Sequence, residues 1–480
     1  MASEIRVNKI ENRSGLGTVT FADTGVDLAG IVTATTFSGS GASLTNIPDS
    51  ALSAVTASKL TGALPAISGA SLTGMASTDN VRTGILDVAG ISTFRNTMNV
   101  GAAVTISESG IEASGIGITC ANINGTQIGG RRNLIINGAM EVAQRGTSST
   151  QDGLHSVDRL NKDEGGTDES VTQSQVDVAS GTTPYTEGFR KAFRLTNGNQ
   201  TGGADVQDYT RITYKIEAQD LAKCGWNYTS TSSFVTLQFW IKSSVAQNFY
   251  FIFNSADGGQ TRSYVMETGS LSADTWTKIT KTFPGDSQLA FDNDNGIGCY
   301  LYIYGYLGTS YADNSVSVNA WKNVANPQTP VNTTTWWTTN DATLEITGLQ
   351  LEVGPQATAF EHRSFGEELS LCQRYYYVHL DSGSSGKSFM NSNQYSSNAS
   401  YGHLQFACTM RTSPSLEIAS GTNYYGVFGN ATAQYVNDLS TVTTSPNGAE
   451  LGGSTSMGQG NSVWWRAHNA NSRVAFTAEI

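Results

Sequence analysis

The chain has 480 residues, of which 51 are glycine, only 9 are proline and 14% are charged, and its formal net charge is −12. That length allows two or three domains, and so little charge excludes charge-rich disorder and speaks against a helix-rich enzyme. The acidic balance argues against nucleic-acid binding, whose affinity comes mostly from Lys and Arg neutralising phosphates.

The opening MASEIRVNKIENRSG carries Glu4 early and lacks an apolar core, so it does not read as a secretory signal. No run approaches the roughly 18 apolar residues of a membrane span. The expectation is a soluble chain made in a cytoplasm, with no membrane insertion.

Residues 1–130 hold no Trp, Tyr or His, and their only Phe residues are Phe21, Phe37 and Phe94. Roughly half of this segment is Gly, Ala, Ser or Thr. It repeats itself: GASLT at Gly41–Thr45 returns at Gly69–Thr73, and DLAGIVT at Asp27–Thr33 returns as DVAGIST at Asp87–Thr93. Ordering a residue costs roughly 1–2 kcal/mol of backbone entropy, while burial returns about 25 cal/mol per Å² of apolar surface. A lone chain of such small residues cannot close that gap. It is either a flexible linker or wound against copies of itself. The β-branched rows GTVTF, Gly17–Phe21, and AAVTISESGIEASGIGIT, Ala102–Thr119, favour short strands in a symmetric interwound shaft.

The texture changes at about residue 131. FVTLQFWIKSS sets Val235, Leu237, Phe239 and Ile241 on one face, and NFYFIF does the same with Phe249, Phe251 and Phe253. CYLYIYGYL sets Cys299, Leu301, Ile303 and Leu307 against Tyr300, Tyr302, Tyr304 and Tyr306. Alternation with period two, broken by turns such as Pro284–Asp286 and Asp292–Gly296, predicts antiparallel strands in a sandwich or jelly roll. One helix is expected, in SFGEELSLCQRYYY, where Ser364 and Glu367 have capping-box spacing. Short strands with Gly/Asn/Ser turns then run to the C-terminus and suggest a second, smaller β domain.

Chemistry is hard to find along this chain. DSGSSGKS at Asp381–Ser388 imitates a phosphate-binding loop, but Asp381 stands where the first glycine belongs, so it reads as a turn. DNDNG at Asp292–Gly296 matches a calcium loop for three residues only and also reads as a turn. His155, His362, His379, His403 and His468 are isolated, with no zinc spacing and no nucleophile motif; His362 reads as part of a domain junction. Cys120, Cys224, Cys299, Cys372 and Cys408 are odd in number and far apart, so they read as buried thiols. No catalytic residue, metal ligand or cofactor is assigned. A glycosidase needs two carboxylates across a cleft, and counting Asp and Glu does not exclude one.

The candidate ligand-binding residues are aromatic, because ring faces stack on sugar C–H groups while phenol hydroxyls hydrogen-bond. Tyr300, Tyr302, Tyr304 and Tyr306 form a row on one strand face, unless the opposing sheet or a neighbouring protomer covers it. In a strand, Trp336 and Trp337 point to opposite sides, as do Trp464 and Trp465. Tyr424 and Tyr425 are placed to line a site in the distal domain.

RRNLIINGAMEVAQRGTS, Arg131–Ser148, and HSVDRL, His155–Leu160, resemble the entry to a β-sandwich module of phage tail-fibre proteins. The stretch from Ile346 to Tyr376 resembles the close of that module, and LQFWIKSS and ADTWTKITKTFPGD resemble jelly-roll strands of carbohydrate-binding modules. The first 130 residues are similar to the shaft repeats of fibres from tailed phages, especially those of marine cyanobacteria. The resemblance implies an all-β, elongated homotrimeric virion fibre of receptor-binding type, assembled in the host cytoplasm. Its parts are then a shaft and virion-attachment region over 1–130, a jelly roll over 131–365 and a C-terminal tip domain over 366–480. Expected partners are other virion proteins of tail, baseplate, neck or capsid, and host surface polysaccharide or protein. The expected function is non-catalytic adhesion. A neck or capsid fibre with a structural role and a polysaccharide-degrading tailspike are the alternatives.

Overall fold

The computed structural model describes residues 132–480, except 259, 260, 382 and 384, together with short stretches of the first 131. The chain divides into two compact units, Met1–Ile116 and Gly117–Ile480. Its secondary structure is all-β in class, with a few short helices.

In the first unit Lys9–Glu11, Thr18–Ala22 and Gly25–Ala29 form an antiparallel sheet. Met98–Val100, Val104–Ser107 and Gly110–Ala113 form another. Strands therefore stand where the β-branched rows place them. Register sets Ile10, Val19 and Leu28 side by side across the first sheet. Ile10 and Leu28 are exposed, as are Val7, Val26 and Val32, and Ile31 is 97% exposed. The GASLT copies and DVAGIST lie, Thr45 apart, outside the described residues.

The second unit opens with two six-stranded antiparallel sheets packed face to face. One runs in the order Leu160–Gly165, Tyr209–Glu217, Ile297–Leu307, Tyr250–Ser255, Arg262–Glu267, Ala320–Asn323. The other runs Thr277–Pro284, Phe234–Ser243, Thr343–Val353, Lys191–Thr196, Thr172–Asp177, Ser148–Ser149. Val235, Leu237, Phe239, Ile241, Phe251, Phe253, Cys299, Leu301 and Ile303 all meet in the core between them. The Phe239 and Phe251 rings meet edge to face at 5.2 Å.

The alternation fails at one place. Tyr304 lies opposite Arg211 and Tyr306 opposite Thr210, so Gly305 is an extra residue in the ladder. Such a bulge reverses the facing of everything beyond it. Tyr306 therefore turns inward onto Trp337, at 5.1 Å, and Leu307 turns out to join Tyr302 and Tyr304.

Helix Phe365–Gln373 begins with the expected capping box: Ser364 N–H donates to Glu367 Oε2 at 2.9 Å, and Glu367 N–H donates back to Ser364 Oγ. Beyond it, a three-stranded sheet forms from Tyr376–Leu380, Val474–Thr477 and Ser415–Ile418. A seven-stranded antiparallel sheet follows the order Thr432–Val436, Tyr425–Gly429, Ser462–Ala467, Ser388–Ser396, Ala399–Gln405, Gly448–Ser454, Ser440–Ser445. Its inner face buries Tyr425, Val427, Val463, Trp465 and Leu451.

These terminal sheets are bound to the two-sheet sandwich through charged groups. Glu217 takes two hydrogen bonds from Arg374, both at 2.8 Å, and one from the Tyr375 hydroxyl. Burial pushes its carboxyl up, but those donors and Gln219 together hold it below the usual range. Glu479 is shared by Arg145 and Arg159, and the Arg159 guanidinium lies 3.6 Å over the Tyr375 ring.

Cys299 and Cys372 are buried, whereas Cys224 and Cys408 are half-buried, so only part of the set is fully enclosed; all four are free, and Cys120 lies outside the described residues. His362 packs its ring against Phe360 and Phe189, at 4.9 and 5.1 Å.

Candidate functional site

The tyrosine row of the sandwich lies within the protein. Tyr304 is fully buried and its hydroxyl donates to Gln328 Oε1 at 2.7 Å. Tyr302 is buried beneath Arg211, whose guanidinium lies 4.3 Å over its ring, and burial pushes its hydroxyl up to about 12. The cover comes from the chain's own 308–332 segment, through Ala312 and Val316, rather than from the opposing sheet. Tyr300 alone stays half-buried, stacked on Tyr302 at 5.4 Å.

Trp336 and Trp337 are not on a strand. They sit in a one-turn helix, Thr335–Thr338, and both are fully buried. Asn197 Nδ2 ties this turn by donating to the carbonyls of Trp336, Trp337 and Thr339. Trp337 Nε1 donates to Gly203 O at 2.7 Å. A helical turn lets two adjacent large rings share one core, which a strand cannot do. Tyr425 is buried as well, and its hydroxyl donates to the carbonyls of Ala419 and Arg473. Tyr424 is half-buried, with its ring over Gly421.

Trp464 and Trp465 do point to opposite sides of their strand. Trp465 is fully buried, and its Nε1 donates to Ser392 Oγ at 3.0 Å; Trp464 is 42% exposed. Trp464 lies on the outer face of the seven-stranded sheet, and the aromatic groups around it were not anticipated from sequence. Phe428 is directly opposite, stacked on Trp464 with centroids 6.3 Å apart and planes 20° apart. Tyr435, 45% exposed, meets Phe428 edge to face and packs against the His468 ring at 4.1 Å. On the adjacent strand Tyr395 is 68% exposed, and it stacks at 5.3 Å on Tyr401, which lies two strands from Trp464.

Glycines let these rings lie flat. A Cβ on Gly426 would stand 2.7 Å from the Phe428 ring and 3.2 Å from Tyr435. A Cβ on Gly452 would stand 2.3 Å from the Tyr401 ring. The Phe428 and Tyr401 rings thus pack directly against glycine backbone, where any side chain would displace them. At ~4.8 Å between strands and ~3.3 Å per residue, Trp464 and Tyr401 are about 12 Å apart, the span of a short oligosaccharide.

Tyr435 also borders an open concavity of about 520 Å³ lined by Asn398, Asn423, Ala433, Gln434, Ser454, Thr455 and Ser456. Amides and hydroxyls are paired donors and acceptors, suited to sugar hydroxyls. Gln434 is fixed by reciprocal bonds with Ser456, at 2.7 and 2.6 Å. The arrangement is a ring platform beside a neutral hydrogen-bonding hollow. It holds no group of His, Cys, Asp and Glu able to bind a metal among the described residues.

The two motif imitations are turns. Asp294 accepts from Gly296 N–H at 2.8 Å, and the described residues of Asp381–Ser388 form a loop leading into the Ser388–Ser396 strand.

No family model matches the sequence, and no curated protein matches it. Among solved structures, the chain is similar to the enzymatically active domain of tailspike protein 4 of bacteriophage CBA120, at 9% identity and a TM-score of 0.25. That match covers 46% of this chain and only 21% of the tailspike chain. It is also similar to the family 11 carbohydrate-binding module of Clostridium thermocellum, at 14% identity and a TM-score of 0.21, over 45% of this chain and 98% of the module. A third similarity is to the CBM22-1 xylan-binding domain of Paenibacillus barcinonensis, at 10% identity and a TM-score of 0.21, over 44% of this chain and 94% of that domain.

Proposed function

We propose that the chain is the subunit of a homotrimeric virion fibre that adheres to bacterial surface polysaccharide without cleaving it. One observation carries the binding half of this reading: the outward-turned rings of Trp464, Phe428, Tyr435, Tyr395 and Tyr401 on one sheet face. Exposed aromatic groups gathered on one face mark a binding surface, and flat rings beside amides and hydroxyls suit sugars in particular. The fibre half is supported by the first unit, where Ile10 and Leu28 flank Val19 on an open sheet face. Copies of the same chain would cover that face, consistent with a segment too poor in bulky residues to build its own core. Three identical platforms would then raise avidity well above that of a single weak sugar contact.

The test is to incubate the purified full chain with host cells and with polysaccharide extracted from them. The expected result is saturable binding that fails in the Trp464→Ala/Tyr435→Ala double variant, with no new reducing ends. New reducing ends would make the chain a tailspike. Binding untouched by the double variant would remove the platform from the account. Sedimentation of the intact protein is expected at three times the 50.9 kDa chain mass.

A further inference from the structure

One cation is built into the aromatic platform. Arg466 lies on the same face of its strand as Trp464, and its guanidinium is 5.0 Å over the Phe428 ring. It stands opposite Gly426, so no side chain crowds it from that side. Its Nε and Nη2 both donate to Gly386 O, at 3.0 and 2.6 Å. Gly386 has φ +84°, in the left-handed region that favours glycine, and its N–H is held by Ala467 O at 2.7 Å. The loop that imitates a phosphate-binding motif in the sequence is thus a bracket for an arginine.

The bracket satisfies one edge of the guanidinium and leaves Nη1 without a hydrogen bond among the described residues. No carboxylate there pairs with Arg466 either. The nearest acidic side chain on this face, Glu450, is three strands away beside His403, whereas Lys387 follows Gly386 directly. A chain of net charge −12 therefore keeps an oriented, unneutralised guanidinium among stacking rings. Such a group receives a carboxylate or a sulfate in charge-assisted hydrogen bonds.

We infer that the platform takes an acidic polysaccharide, with a sugar ring stacked on Trp464 and Phe428 and its anionic substituent held by Arg466. This rests on the proposed glycan-binding role of that sheet face and names its substrate class.

The test uses the full chain and its Arg466→Gln, Arg466→Lys and Trp464→Ala variants on an array of bacterial capsular and O-antigen polysaccharides. Each polysaccharide is printed native, carboxyl-reduced and desulfated. The expected hits are acidic, and they weaken roughly tenfold in Arg466→Gln and with added salt. Arg466→Lys is expected to recover only part of the loss, since a point charge lacks the planar fork. Loss on carboxyl reduction identifies a uronate-type ligand, and loss on desulfation a sulfated one. Binding that is unchanged by both treatments and by Arg466→Gln, yet lost in Trp464→Ala, would overturn the inference and leave the platform standing. Glycan binding indifferent to Trp464→Ala, or none at all, would overturn both.

Discussion

Trp464 and Trp465 are neighbours in sequence, and the structure gives them opposite consequences. Trp465 is fully enclosed, and a Cβ on Gly453 would stand 2.4 Å from its ring, so the ring fills its slot without spare room. Replacing it by alanine removes a large buried side chain and leaves a cavity, at a cost of about 3–5 kcal/mol. Ser392, which loses its Trp465 donor, keeps its bond to Ser400 at 2.7 Å, so no further orphan adds to the cost. With a urea slope of about 1–3 kcal/mol per molar, the transition that unfolds the terminal sheets should move down by at least about 1 M. Trp464→Ala removes an exposed ring, and its effect on stability should stay within about 0.5 kcal/mol. Its cost should fall on ligand: a lost stacking contact of about 0.5–1.5 kcal/mol weakens a single site roughly two- to tenfold. Urea titrations followed by far-UV circular dichroism, together with glycan titrations of both variants, read the two effects separately. Equal destabilisation by the two substitutions, or an unshifted Trp465→Ala, would refute the assignment of faces.

Four further outcomes follow from particular contacts. Gly426→Val should lift the Phe428 and Tyr435 rings off the sheet and reduce glycan binding severalfold, with the change seen in titration of the folded variant. Burial pushes the Asp158 carboxyl up to about 6, against hydrogen bonds from Gln144. A carboxyl raised above its unfolded value of about 3.9 favours the folded state when protonated, so the stability it provides is present near pH 4 and lost as pH rises past 6. For this buried carboxyl the loss is about 3 kcal/mol. Melting temperatures of Asp158→Asn relative to the unaltered protein should therefore improve from pH 4 to pH 7. Arg374→Ala strips Glu217 of its two charged bonds and should cost about 3–5 kcal/mol, read by chemical denaturation. Ile10→Asp/Leu28→Asp should shift sedimentation from three chains towards one.

Period-two alternation made the sandwich strands readable, because alternate residues of each strand share the one core between the sheets. The capping box was readable for a similar reason, since Ser364 and Glu367 act within one turn. Tyr306 was misplaced because its bulge depends on pairing with Thr210 and Arg211, about ninety residues away in the chain. Whether Trp336 and Trp337 lie in a strand was not legible locally, because Asn197 and the core, distant in sequence, impose a helical turn there. The binding platform was half visible. Trp464 was a candidate, but Phe428, Tyr435, Tyr401 and Arg466 join it only through cross-strand register. The one local hint was Gly426 beside large residues in Tyr425–Gly429, since a strand glycine marks a place where another group approaches the backbone closely.

Hydroxyl-radical footprinting of the full chain, free and saturated with a bacterial surface polysaccharide that it binds, probes the central claim most directly. The account predicts protection at Tyr395, Tyr401, Phe428, Tyr435 and Trp464, with Tyr300 and Tyr209 of the two-sheet sandwich unchanged. Protection at those sandwich tyrosines, with the terminal sheet left fully reactive, would contradict it.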